Sequence, residues 1–356
     1  KDACIVVMGC FIEANKDYQE DGVDIYLGTK DKSKIVSLLD EYFSKKTAIR
    51  DITNEEKKEF EDMFITTFEG RTRAFVKIQD GCRNFCSYCI IPYVRGACRS
   101  KDFNKVIKEV KTLTENGYQE IVLTGIHTGN YGVDLKTNFA NLLKELVKIE
   151  KLKRLRISSI EVTELNDAVL EVIKSNKVIV DHLHIPLQAG SDEILKAMNR
   201  KYNLDYYKNK IKQIRSIRPD ISISTDIIVG FPGEDEKLFE QTLKTAQSIA
   251  FSKIHVFPYS IRKNTKAASM PNQVDGKIKK ERAKRLIELS KELDGNGDLS
   301  EFIDSTAISD YAVEGVKKLT NAGIMQGSDN MFRPADNATR AEAASVIYMI
   351  AEYLKW

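Results

Sequence analysis

The sequence has no apolar run near the ~20 residues that a membrane-spanning helix needs. Its opening, KDACIVVMGCFIEANKD, turns acidic too soon for the apolar part of a secretory signal. A cytoplasmic protein with no membrane partner is therefore expected. Excess charge is also scarce: a net +3 over 356 residues cannot by itself imply a polyanion partner, so any nucleic-acid contact must come from local patches. Cysteine is sparse, with six in all, and clustered rather than spread, which favours a metal site over the disulfide framework of a stapled secreted fold. Nothing in 42% hydrophobic and 30% charged residues suggests disorder. The length allows two or three domains. Because the chain starts at Lys1, inside an apolar run, an upstream piece is expected to be missing.

From Arg73 onward, short apolar runs alternate with helical patterns. The runs are RAFVKIQ (73–79), EIVLTG (120–125), LRISS (155–159), HLHIPL (182–187), ISISTDIIVG (221–230) and KIHVFPYS (253–260). Between them apolar residues recur at three and four spacing, as in Val106, Val110 and Leu113, or Leu238, Leu243 and Ile249. This order predicts an α/β domain with a parallel sheet, in the form of a partial (β/α)6 barrel. Ligands of such folds gather beyond the C-terminal strand ends, where Gly, Pro and small polar residues stand here. Before this core, residues 1–50 predict a small α/β domain: a strand at Ala3 to Met8, a turn at Gly9-Cys10, a strand at Val23 to Leu27 and a helix from Ser33 to Phe43. Residues 51–70 read as a charged linker, 71–293 as the core domain, and 294–356 as a separate, mainly helical module.

Half of the cysteines fall in DGCRNFCSYCIIPYVRG (80–96), after the first predicted core strand. Zinc wants four ligands, usually as two pairs, and no second pair or nearby histidine follows. Three thiolates spaced C-x3-C-x2-C suit a four-iron cluster whose fourth iron stays open; the alternative is three reduced cysteines that merely lie close.

Cys82, Cys86, Tyr88 and Cys89 match the motif of the radical S-adenosylmethionine enzymes, which this stretch resembles. RAFVKIQDGCRNFCSYCIIPYVRG, EIVLTGIHTGNYG, RISSIE, HLHIPLQAGSDEILKAMNRKY, TDIIVGFPGE and HVFPYSIRKNTKAA together resemble the methylthiotransferases. Within those they look most like the branch that acts on threonylcarbamoyladenosine in tRNA. The resemblance covers about residues 1–293. It implies a [4Fe-4S] cluster on Cys82, Cys86 and Cys89 that chelates S-adenosylmethionine and cleaves it to a radical with an electron from a reducing donor. It further implies a tRNA anticodon loop as partner and a methylthio group added to carbon 2 of threonylcarbamoyladenosine at position 37; the alternatives are a radical S-adenosylmethionine enzyme on another substrate, or a cell-wall-associated binding protein that carries a decayed enzyme domain.

The remaining motifs take roles from the same resemblance. Tyr88, Gly125, His127 and Thr128 would meet the methionine end of the cofactor; a tight turn explains GIHTG equally. Ser159, Glu161 and Gln188 would reach its ribose or its carboxylate and amine, with a solvated loop carboxylate as the other reading of Glu161. Asp226 and GFPGE would lie on the adenine side, although a Pro-Gly turn uses the same letters. His182 and His184, alternating along one strand face, read as hydrogen-bonded core histidines. Arg71, Arg73, Arg95, Arg99 and Lys101 flank the cysteine loop and could hold phosphates, or be surface charge.

Two regions depart from the family pattern. Members carry a second [4Fe-4S] cluster on three N-terminal cysteines, of which only Cys10 has a counterpart, so that cluster is expected to be held poorly. Cys4 and Cys98 read as buried structural thiols. In place of the family's RNA-binding barrel, residues from about 302 resemble an S-layer homology module, with Thr339, Arg340, Ala341 and Glu342 as its TRAE signature. Such modules bind cell-wall polysaccharide, usually as three copies. With one copy here, little affinity is expected. In DGNGDLSEFIDS, Asp294, Asn296 and Asp298 are spaced like the start of a calcium loop, but Leu299 and Ser305 stand where Gly and Glu are needed, so a linker is the preferred reading.

Overall fold

A computed structural model describes residues 3–53, 59–68, 70–293, 299, 302–328 and 330–354. The first unit runs β1 (Val6–Met8), α1 (Cys10–Ala14), β2 (Ile25–Leu27), α2 (Ile35–Lys45) and β3 (Ile49–Asp51). Its strands form a parallel sheet in the order β1-β2-β3, over a core of Ile25, Leu27 and Leu38. Two features differ from expectation. Gly9, at φ 100°, takes the corner after β1, and the chain enters a helix directly at Cys10 rather than turning there. The edge strand β3, only Ile49–Asp51, is too short for any apolar period to reveal.

The core domain follows: β4 (Arg73–Asp80), α3 (Ile91–Arg95), β5 (Arg99–Ser100), α4 (Phe103–Glu115), β6 (Glu120–Gly125), α5 (Phe139–Leu146), β7 (Arg154–Ile157), α6 (Asp167–Ser175), β8 (His182–His184), α7 (Asp192–Ala197), α8 (Leu204–Ile217), β9 (Ser222–Val229), α9 (Glu236–Ile249), β10 (Lys253–Pro258) and α10 (Gly276–Leu293). Strands β4, β6 and β7 pair in parallel, as do β8, β9 and β10. Single parallel bridges, Leu155 to Ile179 and Ser159 to His184, carry the order across from β7 to β8. The six predicted strands therefore curve in chain order into the expected partial barrel. The antiparallel β5 was not foreseen; it pairs Ser100 with Gln79 and Arg99 with Asp80, folding the cysteine loop back onto β4.

The helices hold this curve because one face of each is apolar. Val106, Val110 and Leu113 of α4 are buried, as are Leu238, Phe239, Ala246 and Ile249 of α9. Asp102, Asn138, Asn166, Asn203 and Asp235 cap α4, α5, α6, α8 and α9 by accepting a bond from the backbone N–H three residues on. These caps fix where each βα loop ends, and so where the site residues stand.

The charged stretch before β4 lies against its neighbours. Glu61 pairs with Lys32 at 2.6 Å, Asp62 pairs with Lys101 at 2.8 Å, and Phe68 sits 6.0 Å from both Phe75 and Tyr118. At the other end, Leu299, Phe302, Ile308 and Val316 form a small separate core with α11 (Asp310–Asn321). Asp304 accepts bonds from the N–H groups of Phe332 and Arg333 and closes the loop. In α12 (Arg340–Leu354), Thr339 and Glu342 form a reciprocal capping box, so the TRAE letters start a helix. Asp294, Asn296 and Asp298 of the calcium-like stretch lie outside the described residues. Among the described residues no helix is long and apolar enough to cross a membrane.

Candidate functional site

The cysteine loop leaves the C-terminal end of β4 through Gly81, which has φ 78°. A Cβ there would stand 1.9 Å from the Ala97 carbonyl oxygen, so the loop can start only from glycine. Cys82 N–H then donates to the Gly96 carbonyl at 3.0 Å. On its far side the loop is clamped by the segment after α7: Ser87 N–H donates to the Met198 carbonyl at 3.0 Å and its hydroxyl to the Ala197 carbonyl at 2.7 Å. The Asn199 amide donates to the Phe85 carbonyl at 2.9 Å. Backbone contacts of this kind hold three thiols in place without using the thiols themselves.

Cys82, Cys86 and Cys89 are all free and partly buried. Burial, with Cys86 and Cys82 as neighbours, pushes the Cys89 thiol up to about 11 against the opposing Ile91 N–H. Three thiolates are unfavourable here unless cations sit among them, which is what an iron-sulfur cluster provides. Among the described residues no group of three His, Cys, Asp or Glu side chains could hold a single metal ion, so the thiols are not a preformed mononuclear site. The donor set fits a three-thiolate cluster.

Two charged side chains buttress the sulfurs. His127 Nδ1 lies 3.7 Å from Cys82 Sγ, and its Nε2 is in ion-pair contact with Glu164. Burial opposes charge on this imidazole, but bonds to Cys82, Cys98 and Glu164 outweigh it and raise its pKa to about 12. Arg200, its side chain 3% exposed, donates from one terminal nitrogen to Cys86 Sγ at 3.2 Å and to the Tyr88 hydroxyl at 3.4 Å; its other terminal nitrogen pairs with Glu161. Its Nε donates to the Tyr202 hydroxyl at 3.2 Å, which in turn donates to the Leu187 carbonyl at 2.9 Å. Glu161 and Glu164 are the two ends of one capping box. A polar chain therefore runs from Cys86 through Arg200, Glu161, Glu164 and His127 to Cys82.

Several expected site residues have internal tasks. Gly125 makes room for Gln79, whose atoms would lie 3.1–3.3 Å from an added Cβ, and Gly129 makes room for Glu164, 2.2 Å from one. Gln79 is fully buried and its side-chain Oε1 accepts from His127 N–H at 2.7 Å. The Thr128 hydroxyl meets that of Ser158 at 3.2 Å. Glu161, for which a solvated loop carboxylate was the other reading, is instead paired with Arg200. Ser159 is exposed beyond β7 and bridges to His184 through backbone alone. Gln188, at φ 69° and four residues beyond β8, donates its N–H to the Asp226 carbonyl and accepts from Ile228 N–H, a single bridge to β9. Asp226 pairs with His184 Nε2 at 3.2 Å. His184 and His182 both bond the Ser224 hydroxyl, at 2.9 and 3.0 Å, and are half-buried rather than in the core.

The flanking cations depart from expectation. Arg99 and Lys101 are buried: Arg99 donates to the Arg95 and Ala97 carbonyls, and Lys101 pairs with Glu109 and Asp62. Arg95 pairs with Asp80 at 3.2 Å and donates to Cys10 Sγ, also at 3.2 Å. These three brace the loop and are not a phosphate patch. Arg73 is half-exposed beside Glu120, and Arg71 lies over the Phe75 ring. Cys4 and Cys98 are only partly buried, the latter within 3.8 Å of the Gly81 carbonyl. At Cys10 a single thiol sits beside an arginine, which does not amount to a second three-thiolate site.

Sequence reasoning missed Arg200, Glu164 and Gln79. Gln79 carried a signal, a lone amide in the apolar alternation of β4. Arg200 stood in the quoted NRKY stretch, but only the fold turns it toward Cys86.

Comparisons with known proteins give a consistent result. The family model for the radical S-adenosylmethionine superfamily matches residues 76–246, and that for the S-layer homology domain matches residues 301–344. A threonylcarbamoyladenosine tRNA methylthiotransferase of Bacillus subtilis is 45% identical over 82% of this chain and 66% of its own length. One from Aquifex aeolicus is 39% identical over 81% of this chain and 71% of its own. A tRNA-2-methylthio-N(6)-dimethylallyladenosine synthase of Natranaerobius thermophilus is 37% identical over 92% of this chain and 73% of its own. The chain thus spans about two thirds of the length of the first of these relatives.

Proposed function

The chain belongs to the radical S-adenosylmethionine methylthiotransferase family, and on that premise we propose that it adds a methylthio group to carbon 2 of threonylcarbamoyladenosine at position 37 of tRNA. The observation that carries the reading is the clamped loop of Cys82, Cys86 and Cys89 at the mouth of the partial barrel, with Arg200 donating to Cys86 and His127 beside Cys82. When bound, the [4Fe-4S] cluster would pass on an electron from an external reductant, S-adenosylmethionine would supply the radical and the methyl group, and a separate sulfur donor the inserted sulfur atom. The chain's own residues hold and enclose. Cys82, Cys86 and Cys89 would be the cluster ligands, while Gln79 and Glu164 fix His127 from two sides.

The two relatives named for threonylcarbamoyladenosine favour that base over dimethylallyladenosine, the base in the name of the third. An RNA partner is supported at the mouth by the exposed rings of Phe85 and Tyr93, 5.7 Å apart. Beside them is a cavity of about 320 Å³ lined by Cys82, Arg83, Phe85 and Pro92. Exposed aromatics next to a cation are the usual platform for an unstacked base. Within this chain no step is assigned to a second cluster at Cys10, and the C-terminal module has no role in the chemistry.

The test pairs two readouts on anaerobically reconstituted chain. Deoxyadenosine formation should vanish in Cys86→Ala, and full formation would refute the cluster assignment. Nucleoside mass spectrometry of tRNA carrying either modified base should show only a small yield of methylthio product, since a single thiol stands at Cys10, and that yield only on threonylcarbamoyladenosine; product only from dimethylallyladenosine would refute the substrate.

A further inference from the structure

Arg200 has no part in the three-cysteine motif, yet its guanidinium is the most fully committed group at the site. Four partners hold it: Cys86 Sγ, the Tyr88 and Tyr202 hydroxyls, and Glu161. The Tyr202 ring also lies 5.1 Å from its centre. A guanidinium does not lose its proton in proteins, so this is a permanent positive charge donating to one thiol sulfur. Hydrogen bonds to ligand sulfurs and nearby net charge are the protein's means of setting an iron-sulfur potential.

We infer that Arg200 is a positioning residue that raises the reduction potential of a cluster held by Cys86, and that Glu161 limits the rise. The inference rests on the cluster assignment proposed above. Adding one electron from an external low-potential donor makes the cluster more negative, and the guanidinium stabilises that reduced state. The Glu161 carboxylate, paired with the same guanidinium, offsets part of its charge. The two residues therefore act with opposite sign through one contact.

The experiment is an electron-resonance redox titration, with dithionite as reductant, of the full chain after anaerobic reconstitution, with iron counted on each sample. In Arg200→Gln the ratio of reduced to oxidised cluster at a fixed potential should fall at least tenfold, a downward shift of about 59 mV for one electron. In Glu161→Gln it should rise. A variant that merely loosened the loop would move both in the same direction. An unchanged potential in Arg200→Gln with its iron retained, or shifts of one sign in both variants, overturns the inference. If Arg200→Gln loses its iron, Glu161→Gln decides: a rise supports the inference, and no change or a fall overturns it. A wild-type chain that takes up no cluster overturns the underlying assignment and this inference with it.

Discussion

Replacing Gly81 by alanine tests whether the cysteine loop depends on its backbone clamp. Two costs add. An L-residue at φ 78° pays roughly 1–2 kcal/mol for the left-handed conformation. The added Cβ would also stand 1.9 Å from the Ala97 oxygen, 2.6 Å from its carbonyl carbon and 2.8 Å from the Gly96 oxygen. All three are backbone atoms, so no rotamer relieves the contact, and overpacking adds about 1–3 kcal/mol. Gly233→Ala is the control: at φ 87° it carries the same conformational cost, but nothing lies within 4 Å of its Cβ. At ~2–4 °C per kcal/mol for a domain of this size, Gly81→Ala should lower Tm by roughly 10 °C and Gly233→Ala by roughly 4 °C. Because Gly81 precedes Cys82 directly, only the first variant should also lose iron on reconstitution. Thermal unfolding by circular dichroism with an iron assay measures both. Equal Tm losses in the two variants, or full iron in Gly81→Ala, would refute the argument from backbone contact.

Three further outcomes follow. Asp80, 7% exposed at its side chain, pairs with Lys77 at 2.6 Å and Arg95 at 3.2 Å. Burial opposes its charge, but those partners hold its pKa below the usual 3.8. The stability it contributes is therefore present above about pH 3.8 and is lost as pH falls through the folded-state value. Asp80→Asn should cost about 3 kcal/mol in urea unfolding at pH 7 and show a flatter acid limb than wild type; an equally steep limb would contradict the assignment. Thr339→Ala removes the hydroxyl of the α12 capping box and should cost about 1 kcal/mol, read as lost helicity and faster amide exchange over 340–346 while the core domain is unchanged. Tyr202→Phe cuts the Arg200 Nε contact and two bonds to the Pro186 and Leu187 carbonyls, which should cost about 1–3 kcal/mol; an unchanged urea midpoint would deny Tyr202 its bracing role.

The barrel was legible because its signals are local and repeated: six Val- and Ile-rich runs separated by helical spacing, each ending in small or polar residues. The three-cysteine loop was legible for the same reason, since all its ligand candidates lie within eight residues. What stayed hidden depends on contacts distant in sequence. Arg200 meets Cys86 across 114 residues, and Gln79 meets His127 across 48. No period or motif encodes such pairs. Arg99 and Lys101 misled because a basic residue beside a site carries no mark of burial; the antiparallel return of β5 is what puts them inside. Gly125 was read as meeting the cofactor, whereas the close neighbours that Gly125 and Gly129 admit in the fold are Gln79 and Glu164 of the chain itself.

The central claim is that Cys82, Cys86 and Cys89 together hold one four-iron cluster. An anaerobic count of iron and acid-labile sulfide on the reconstituted full chain, beside the triple variant Cys82→Ala, Cys86→Ala, Cys89→Ala, tests it directly. The account predicts about four irons and four sulfides per wild-type chain and close to none in the triple variant. Equal iron in the two proteins would contradict it.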